Sequence, residues 1–164
     1  MRVRWHRRVR AGGFTLIELL VTLALVGILA SIAIPMADVA SRRGKEQELR
    51  ESLRTIRKAI DAYKLAVDEG RIQRTVDASG YPPTLRVLVD GAVDQRDPAG
   101  RRIKFLRSIP RDPFNADAEL SADATWAKRA YVSPHHAPKE GRDVFDVHSR
   151  DTRAGLNGVP YRQW

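Results

Sequence analysis

The sequence predicts an α+β fold: a long N-terminal helix, membrane-spanning in its first half, packed on a small C-terminal antiparallel β-sheet. Three observations lead to this prediction. No charged side chain lies between Leu19 and Met36. Apolar residues then recur at helical spacing as far as Val67. Two short runs rich in β-branched and aromatic residues begin at Trp126 and Val144, as expected of strands.

The uncharged segment is long enough to cross a bilayer. The stretch from Phe14 to Pro35, about 22 residues, spans roughly 30 Å as a helix, which is the thickness of the hydrocarbon core. Glu18 is the one ionisable residue in it. A carboxylate in lipid is costly and requires a partner. Cleavage between Gly13 and Phe14 would create a positive α-amino group one helical turn from Glu18.

The charge distribution predicts how the chain lies across the membrane. Residues 1–13 contain arginine and no acid, and they account for most of the net charge of +9. By the positive-inside rule this leader stays in the cytoplasm and the C-terminal part lies in the periplasm. We therefore divide the chain into a cleaved basic leader, a transmembrane half-helix, an amphipathic half-helix and a periplasmic α/β-loop and sheet region, with bounds 1–13, 14–36, 37–69 and 70–164.

The amphipathic half of the helix has one apolar stripe, formed by Leu49, Leu53, Ile56, Ile60, Tyr63 and Val67. The opposite face is predicted to be solvated and to carry the ion pairs Glu46–Arg50, Glu51–Arg54 and Arg57–Asp61. Gly70 is placed to cap the helix, so we expect helix from about Phe14 to Glu69. Gly27 and Pro35 predict a kink within it.

Shorter elements are predicted beyond Gly70. A short helix capped by Thr84 should end at Gly91, and residues 97–100 form a turn. An irregular segment follows, anchored by Phe105, Leu106, Ile109 and Phe114. Strands are expected over 126–133 and 144–149, with Trp164 docked on their sheet. The chain has no cysteine, so the fold contains no disulfide.

The N-terminal motif resembles that of type IV pilins and of the pseudopilins of type II secretion systems. The residues that carry the resemblance are the basic leader, Gly13, the run Phe14-Thr15-Leu16-Ile17-Glu18 and the apolar helix. This resemblance implies that a prepilin peptidase removes residues 1–13 and methylates the new amine of Phe14. It also implies that Glu18 meets the Phe14 amine of a neighbouring subunit during filament assembly.

The second half of the chain resembles the major pseudopilins in particular. The similar segments are Ser79 to Leu85, Ile109 to Phe114, Trp126 with Tyr131, and Phe145 to Val147. The resemblance implies a type IV pilin-like fold and a homopolymer in the bacterial inner membrane, partnered by minor pseudopilins and an inner-membrane assembly platform, that drives protein export. A type IV pilin for adhesion, motility or DNA uptake is the alternative, although type IV major pilins usually carry a disulfide.

Two other interpretations of the N-terminus are open to test. A secretory signal peptide would be cleaved after the small residues of Ser31-Ile32-Ala33, but such apolar regions are shorter and lack a carboxylate. An uncleaved single-pass anchor would keep Met1. The start of the processed chain separates these cases: Phe14 for a pilin-like protein, Ile34 for a signal peptide and Met1 for an anchor.

No pattern of side chains predicts a cofactor or a catalytic site. The resemblance implies a calcium-binding C-terminal loop, for which Asp146 and Asp151 are the candidate ligands, but the loop is short and rich in arginine. His135, His136 and His148 lack the spacing of a metal site. Asp146, His148 and Ser149 have the residue types of a triad, but strand neighbours face opposite sides. A basic cluster at Arg101, Arg102, Lys104, Arg107 and Arg111 is too modest to predict nucleic-acid binding.

Overall fold

A computed structural model describes residues 13–164. Its elements are, in chain order, α1 (Leu16–Asp68), α2 (Arg86–Asp90), β1 (Ala92–Val93), β2 (Arg102–Ile103), β3 (Trp126–Arg129) and β4 (Asp146–Ser149). Two 3₁₀ helices, Ala122–Thr125 and Tyr161–Gln163, lie before β3 and at the end of the chain. β1 pairs with β2 and β3 with β4, both antiparallel. This is the predicted α+β fold.

Helix α1 begins and ends within two residues of the predicted positions. Its C-terminus is closed by Gly70, whose φ of 71° lies in the left-handed region. The Gly70 amide donates to Val67 O at 2.9 Å and the Arg71 amide to Ala66 O at 2.8 Å. These two bonds form a Schellman motif, which satisfies carbonyls that the last helical turn leaves without partners.

The helix continues through both residues expected to kink it. Pro35 lies inside α1, and Gly27 is likewise helical. A Cβ placed on Gly27 would meet nothing within 4 Å. Neither residue therefore ends the helix, and the kink itself stays a prediction.

The described chain divides at Ser41 into two units. In the first unit, every residue from 13 to 41 is exposed. The second unit, Arg42–Trp164, contains the hydrophobic core. The predicted stripe on α1 is confirmed: its members are buried, with Leu49 and Ile56 fully so, and they pack with Leu85, Leu88, Trp126, Val144, Val147 and Tyr161. Burial of these side chains is the main stabilising term.

A hairpin of two short strands, each of two residues, follows α2, and the sequence analysis missed it. Strands β1 and β2 are joined by the predicted turn, in which the Gly100 amide donates to Asp97 O at 2.9 Å. The predicted cap of α2 is wrong, since Leu85 rather than Thr84 occupies that position and makes no side-chain cap bond. Gly91, with φ of 82°, ends the helix as expected and lies against Ile103 O of β2.

Strands β3 and β4 are shorter than predicted. Their register pairs Trp126 with Ser149 and Arg129 with Asp146. β3 ends at Arg129 because the chain then turns, with the Ala130 amide donating to Lys139 O at 2.9 Å. Tyr131 and Val132, predicted to be in the strand, are outside it and exposed. β4 starts late because the Val144 amide donates to Pro82 O instead.

The segment between β2 and β3 is irregular and anchored, as predicted. Its four expected anchors, Phe105, Leu106, Ile109 and Phe114, are partly buried and packed against the core. Phe105 meets the ring of Tyr63 edge-on with centroids 5.4 Å apart. The Trp126 indole donates to Pro110 O at 2.8 Å, which joins this segment to β3.

Candidate functional site

The start of α1 combines an apolar surface with one carboxylate. Phe14 and Leu16 are 77% and 76% exposed, and the large apolar residues as far as Met36 are exposed as well. Glu18 lies in the first helical turn. Among the described residues, α1 is the one helix that is long and apolar enough to cross a membrane.

Thr15 caps the helix, a role that the sequence analysis missed. Its hydroxyl oxygen accepts a hydrogen bond from the Glu18 amide at 3.3 Å. Thr15 is followed three residues later by Glu18, which is the sequence pattern of a capping box and could have identified the cap. The cap fixes where the helix begins, and it places the Glu18 carboxylate in the turn where the helix macrodipole favours negative charge.

The hydroxyl groups inside the apolar segment are satisfied by the helix itself. Thr22 Oγ1 donates to Leu19 O at 3.0 Å, and Ser31 Oγ donates to Ile28 O at 2.7 Å. Because neither hydroxyl depends on water or on a second helix, both are compatible with lipid. Glu18 is thus the side chain of this segment whose charge calls for an external partner.

The two candidate calcium ligands lie apart. Asp146 begins β4 and Asp151 follows its end, so the rest of the strand separates them along the chain. Asp146 is bound to Arg57 at 2.7 Å and to Arg129 at 3.4 Å. Asp151 is bound to Arg153, which holds the pKa of Asp151 below its usual range. No group of three or more His, Cys, Asp or Glu residues that could hold a metal occurs within residues 13–164.

Asp146, His148 and Ser149, which have the residue types of a catalytic triad, are not arranged as one. His148 and Ser149 face opposite sides of β4, with Ser149 buried and His148 partly exposed. Ser149 Oγ donates to Asp112 Oδ2 at 2.5 Å, on the buried side of the strand. The hydroxyl is therefore used to hold the β2–β3 connection and is out of reach of the imidazole.

The three histidines share one cleft, which their spacing did not predict. The cleft has a volume of about 840 Å³ and lies on the exposed side of β4. The loop after β3 brings His135 and His136 to the same opening as His148. Arg57, Arg129 and Arg162 also line it. These cations disfavour a divalent metal there.

The first comparison with known proteins concerns the start of the chain, including the apolar part of α1. Residues 8–34 match the family model described as the prokaryotic N-terminal methylation motif. Type II secretion system core protein G of Klebsiella pneumoniae is 30% identical, over 82% of this chain and 93% of that protein. The chain belongs to the type II secretion system core protein G family.

Two further members of the core protein G family are similar to this chain over most of its length. The Vibrio cholerae protein is 29% identical over 90% of this chain and 86% of its own length. The Pseudomonas aeruginosa protein is 28% identical over 86% and 94% respectively. No solved structure matches the chain. The predicted resemblance to major pseudopilins, rather than to type IV pilins, is confirmed.

The C-terminal segment of the chain is held by polar side chains of α1, which corrects the predicted solvated face. Glu46 is 3% exposed and accepts hydrogen bonds from Tyr161 Oη at 2.8 Å and from the Leu156 amide at 2.7 Å. Arg57 binds Asp146 instead of Asp61, and it donates to Trp164 O at 2.8 Å. Only the Glu46–Arg50 pair, at 3.8 Å, occurs as predicted among the described residues.

Trp164 packs on α1, which the sequence analysis did not predict, and it also lines the cleft beside β4. Its ring lies under the Arg50 guanidinium, 4.2 Å from the ring centroid, and meets Tyr161 edge-on at 5.0 Å. The end of the chain therefore contacts both α1 and the exposed side of β4.

Proposed function

We propose that this protein is the major subunit of a periplasmic pseudopilus, which it forms by polymerising through the apolar half of α1. The observation that carries the proposal is the exposed apolar surface of residues 14–36 with a single carboxylate, Glu18, in its first turn. Such a surface requires lipid or other copies of the helix to cover it. Growth of the filament would then drive folded proteins through a channel in the outer membrane.

Processing would prepare the subunit for assembly. A prepilin peptidase would cleave between Gly13 and Phe14 and methylate the Phe14 amine, as the match to the methylation motif supports. The basic residues of the leader lie outside the described part of the chain. Their charge would keep the N-terminus in the cytoplasm and direct the Arg42–Trp164 unit to the periplasm.

The new amine and Glu18 would set the register between subunits. A methylated amine at Phe14 and a carboxylate at Glu18 are each costly in lipid when alone. When the amine of one copy meets the carboxylate of another, both charges are compensated together. A subunit in the wrong register would leave both unpaired, so the pair selects one arrangement.

The periplasmic unit would act as a structural part and not as an enzyme. The hydroxyl of Ser149 is bound to Asp112 and forms no catalytic triad, and the acidic residues Asp146 and Asp151 are bound to arginines. Minor pseudopilins and the inner-membrane assembly platform are the further partners that this role requires. The chain would be divided into a leader (1–13), a transmembrane half-helix (14–36), an amphipathic half-helix (37–69) and a periplasmic region (70–164). A kink at Gly27 and Pro35 would let the transmembrane half-helix adjust its direction during assembly.

Mass spectrometry and a matched pair of variants test the proposal. The processed chain should begin at methylated Phe14. Glu18→Ala should still insert and be cleaved, but it should form few or no filaments by electron microscopy and secrete poorly. Glu48→Ala removes an exposed glutamate from the same helix outside the apolar segment, and it should assemble normally. Normal filaments in the Glu18→Ala variant would overturn the proposed role of the carboxylate.

A further inference from the structure

The cleft beside β4 carries more positive charge than its own residues neutralise. We call it the cationic cleft; it is lined by Arg57, Arg129, Arg162, His135, His136 and His148, with Asp146 as the carboxylate among its lining residues. Asp146 lies between Arg57 and Arg129, at 2.7 and 3.4 Å. One carboxylate therefore meets two guanidinium groups, and a third, Arg162, is exposed at the opening. The cleft is built to receive an anion.

The same chain presents a matching acidic surface elsewhere. We call residues 115–121, Asn115-Ala116-Asp117-Ala118-Glu119-Leu120-Ser121, the acidic loop. Asp117 and Glu119 are exposed, and neither takes part in an ion pair within residues 13–164. The loop's own sequence contains no basic residue, and Arg111, which reaches it from outside, binds its backbone carbonyls and not its carboxylates. Its two carboxylates are therefore available to a partner.

The acidic loop is held in a fixed shape. Arg111 donates to Asp117 O at 2.6 Å and to Leu120 O at 2.5 Å. The Asp117 amide donates to Asn115 Oδ1, and the Glu119 amide to Asp117 Oδ1, both at 3.0 Å. Because the loop is ordered before it binds, docking costs little conformational entropy.

The two surfaces lie at opposite ends of one sheet. The acidic loop leads through the 3₁₀ helix Ala122–Thr125 into the end of the ladder where Trp126 pairs with Ser149. The cationic cleft lies at the other end, where Arg129 pairs with Asp146. Different surfaces at opposite ends make a head-to-tail contact, which repeats without closing when the rotation between subunits does not complete a ring. That is the symmetry of a filament.

We propose that the cationic cleft of one subunit receives the acidic loop of a second copy of this chain. Asp117 and Glu119 would lie against Arg162, Arg129 and the histidines. The contact rests on the proposed pseudopilus, and it adds a periplasmic bond between subunits to the one made in the membrane. It also contributes specificity, since a partner lacking the acidic loop would leave the cleft charges unpaired.

Disulfide crosslinking tests the contact, because the chain contains no cysteine of its own. The double variant His136→Cys with Glu119→Cys should give a ladder of oligomers under oxidising conditions in the assembled system. Either single variant should give none, and a mixture of the two single variants should give dimers only. Arg107→Cys with Glu119→Cys, with an exposed arginine outside the cleft, is the matched control and should give no ladder.

Charge reversal provides a second measurement that does not depend on cysteine geometry. Arg162→Glu should reduce the yield of filaments by roughly tenfold, as expected where like charges replace complementary ones. Adding Glu119→Arg in the same chain should restore it. Arg107→Glu should have no effect. Rescue by the second reversal shows that the two side chains act together.

The possible results distinguish this contact from the proposed function. Filaments without a ladder and without rescue would overturn the cleft contact and leave the pseudopilus intact. Loss of filaments in the unmodified chain would overturn both. A ladder from either single variant would mean a contact between like surfaces, which also contradicts the head-to-tail arrangement.

Discussion

The carboxylate of Glu46 accepts a hydrogen bond from the hydroxyl of Tyr161, 2.8 Å away, across 115 positions of sequence. Both side chains are buried, with exposed fractions of 3% and 0%. The Tyr161 hydroxyl also accepts a hydrogen bond from Arg42 Nε at 3.0 Å, so it is paired on both sides. This contact joins the second half of α1 to the last residues of the chain.

Replacing Glu46 by leucine should destabilise the Arg42–Trp164 unit by about 1–3 kcal/mol, because the Tyr161 hydroxyl and the Leu156 amide would lose their acceptor. Glu46→Gln keeps an acceptor oxygen and should cost less. Chemical denaturation of the full chain in detergent, followed by tryptophan fluorescence, measures both. Glu48→Leu is the control at an exposed position of α1. Equal stability of the leucine and glutamine variants would contradict this account.

Removal of metal ions should leave the thermal midpoint of the chain unchanged. Asp146 and Asp151 are bound to arginines, and Arg42, Glu46 and Arg57 hold the C-terminal segment without a metal. Calorimetry before and after treatment with a chelator, and again after adding excess calcium, measures this. A large fall in the midpoint that calcium reverses would show that the loop does bind the ion.

Stability should fall on mild acidification because of His148. Burial lowers the pKa of this imidazole below the ordinary 6.5, with the arginines at 129, 57 and 150 acting in the same direction and Asp146 opposing them. The unfolded chain therefore binds more protons than the folded one just below pH 6.5. Stability is at its full value above that pH and falls as the pH decreases towards the pKa of the folded state, below which the effect levels off.

His148→Gln should remove this part of the pH dependence. Denaturation midpoints measured between pH 7.5 and 5 compare the variant with the parent chain, and His136→Gln serves as an exposed control. The lowered pKa values of Asp94 and Asp97 act only below their ordinary 3.8, so they do not overlap with this range. The same slope in the parent and the His148→Gln variant would exclude His148 as its source.

Gly91→Ala should be more destabilising than Gly100→Ala, although both glycines have positive φ. At Gly100 the added methyl meets nothing within 4 Å, so the cost is about 1–2 kcal/mol for the left-handed conformation alone. At Gly91 it would lie 2.8 Å from Ile103 O, and β2 would have to move. Urea midpoints of the two variants test this. Equal losses would show that the close approach is unimportant.

Local chemistry explains what could be predicted from the sequence. The bounds of α1, its buried stripe and the Gly70 cap follow from spacing and from backbone preferences within a few turns. The anchors Phe105 and Phe114 follow from hydrophobicity. The N-terminal motif indicated a pilin-like protein, since a carboxylate at the start of an apolar helix is rarely placed there without a function. Segments of the second half, from Ser79 to Val147, indicated the major pseudopilins.

Contacts between distant residues explain what could not be predicted. Helical spacing alone placed Glu46 and Arg57 on a solvated face, whereas Tyr161 and Asp146 bind them from more than 80 positions away. The strand at 126–133 was cut short by a loop closed on Lys139. The adjacency of His135 and His136 in the sequence gave no indication that His148, on β4, would line the same cleft.

The sequence by itself determined that the protein has an apolar helix with one carboxylate near its start and, together with the segments of its second half, its family. Uncharged length and spacing along one helix are properties of neighbouring residues and need no folded context. Only the tertiary structure decided which partners the charged side chains of the Arg42–Trp164 unit bind. Whether a charged side chain is solvated, buried or gathered into a cleft depends on which distant backbone comes within hydrogen-bond reach of it, and that is fixed by packing.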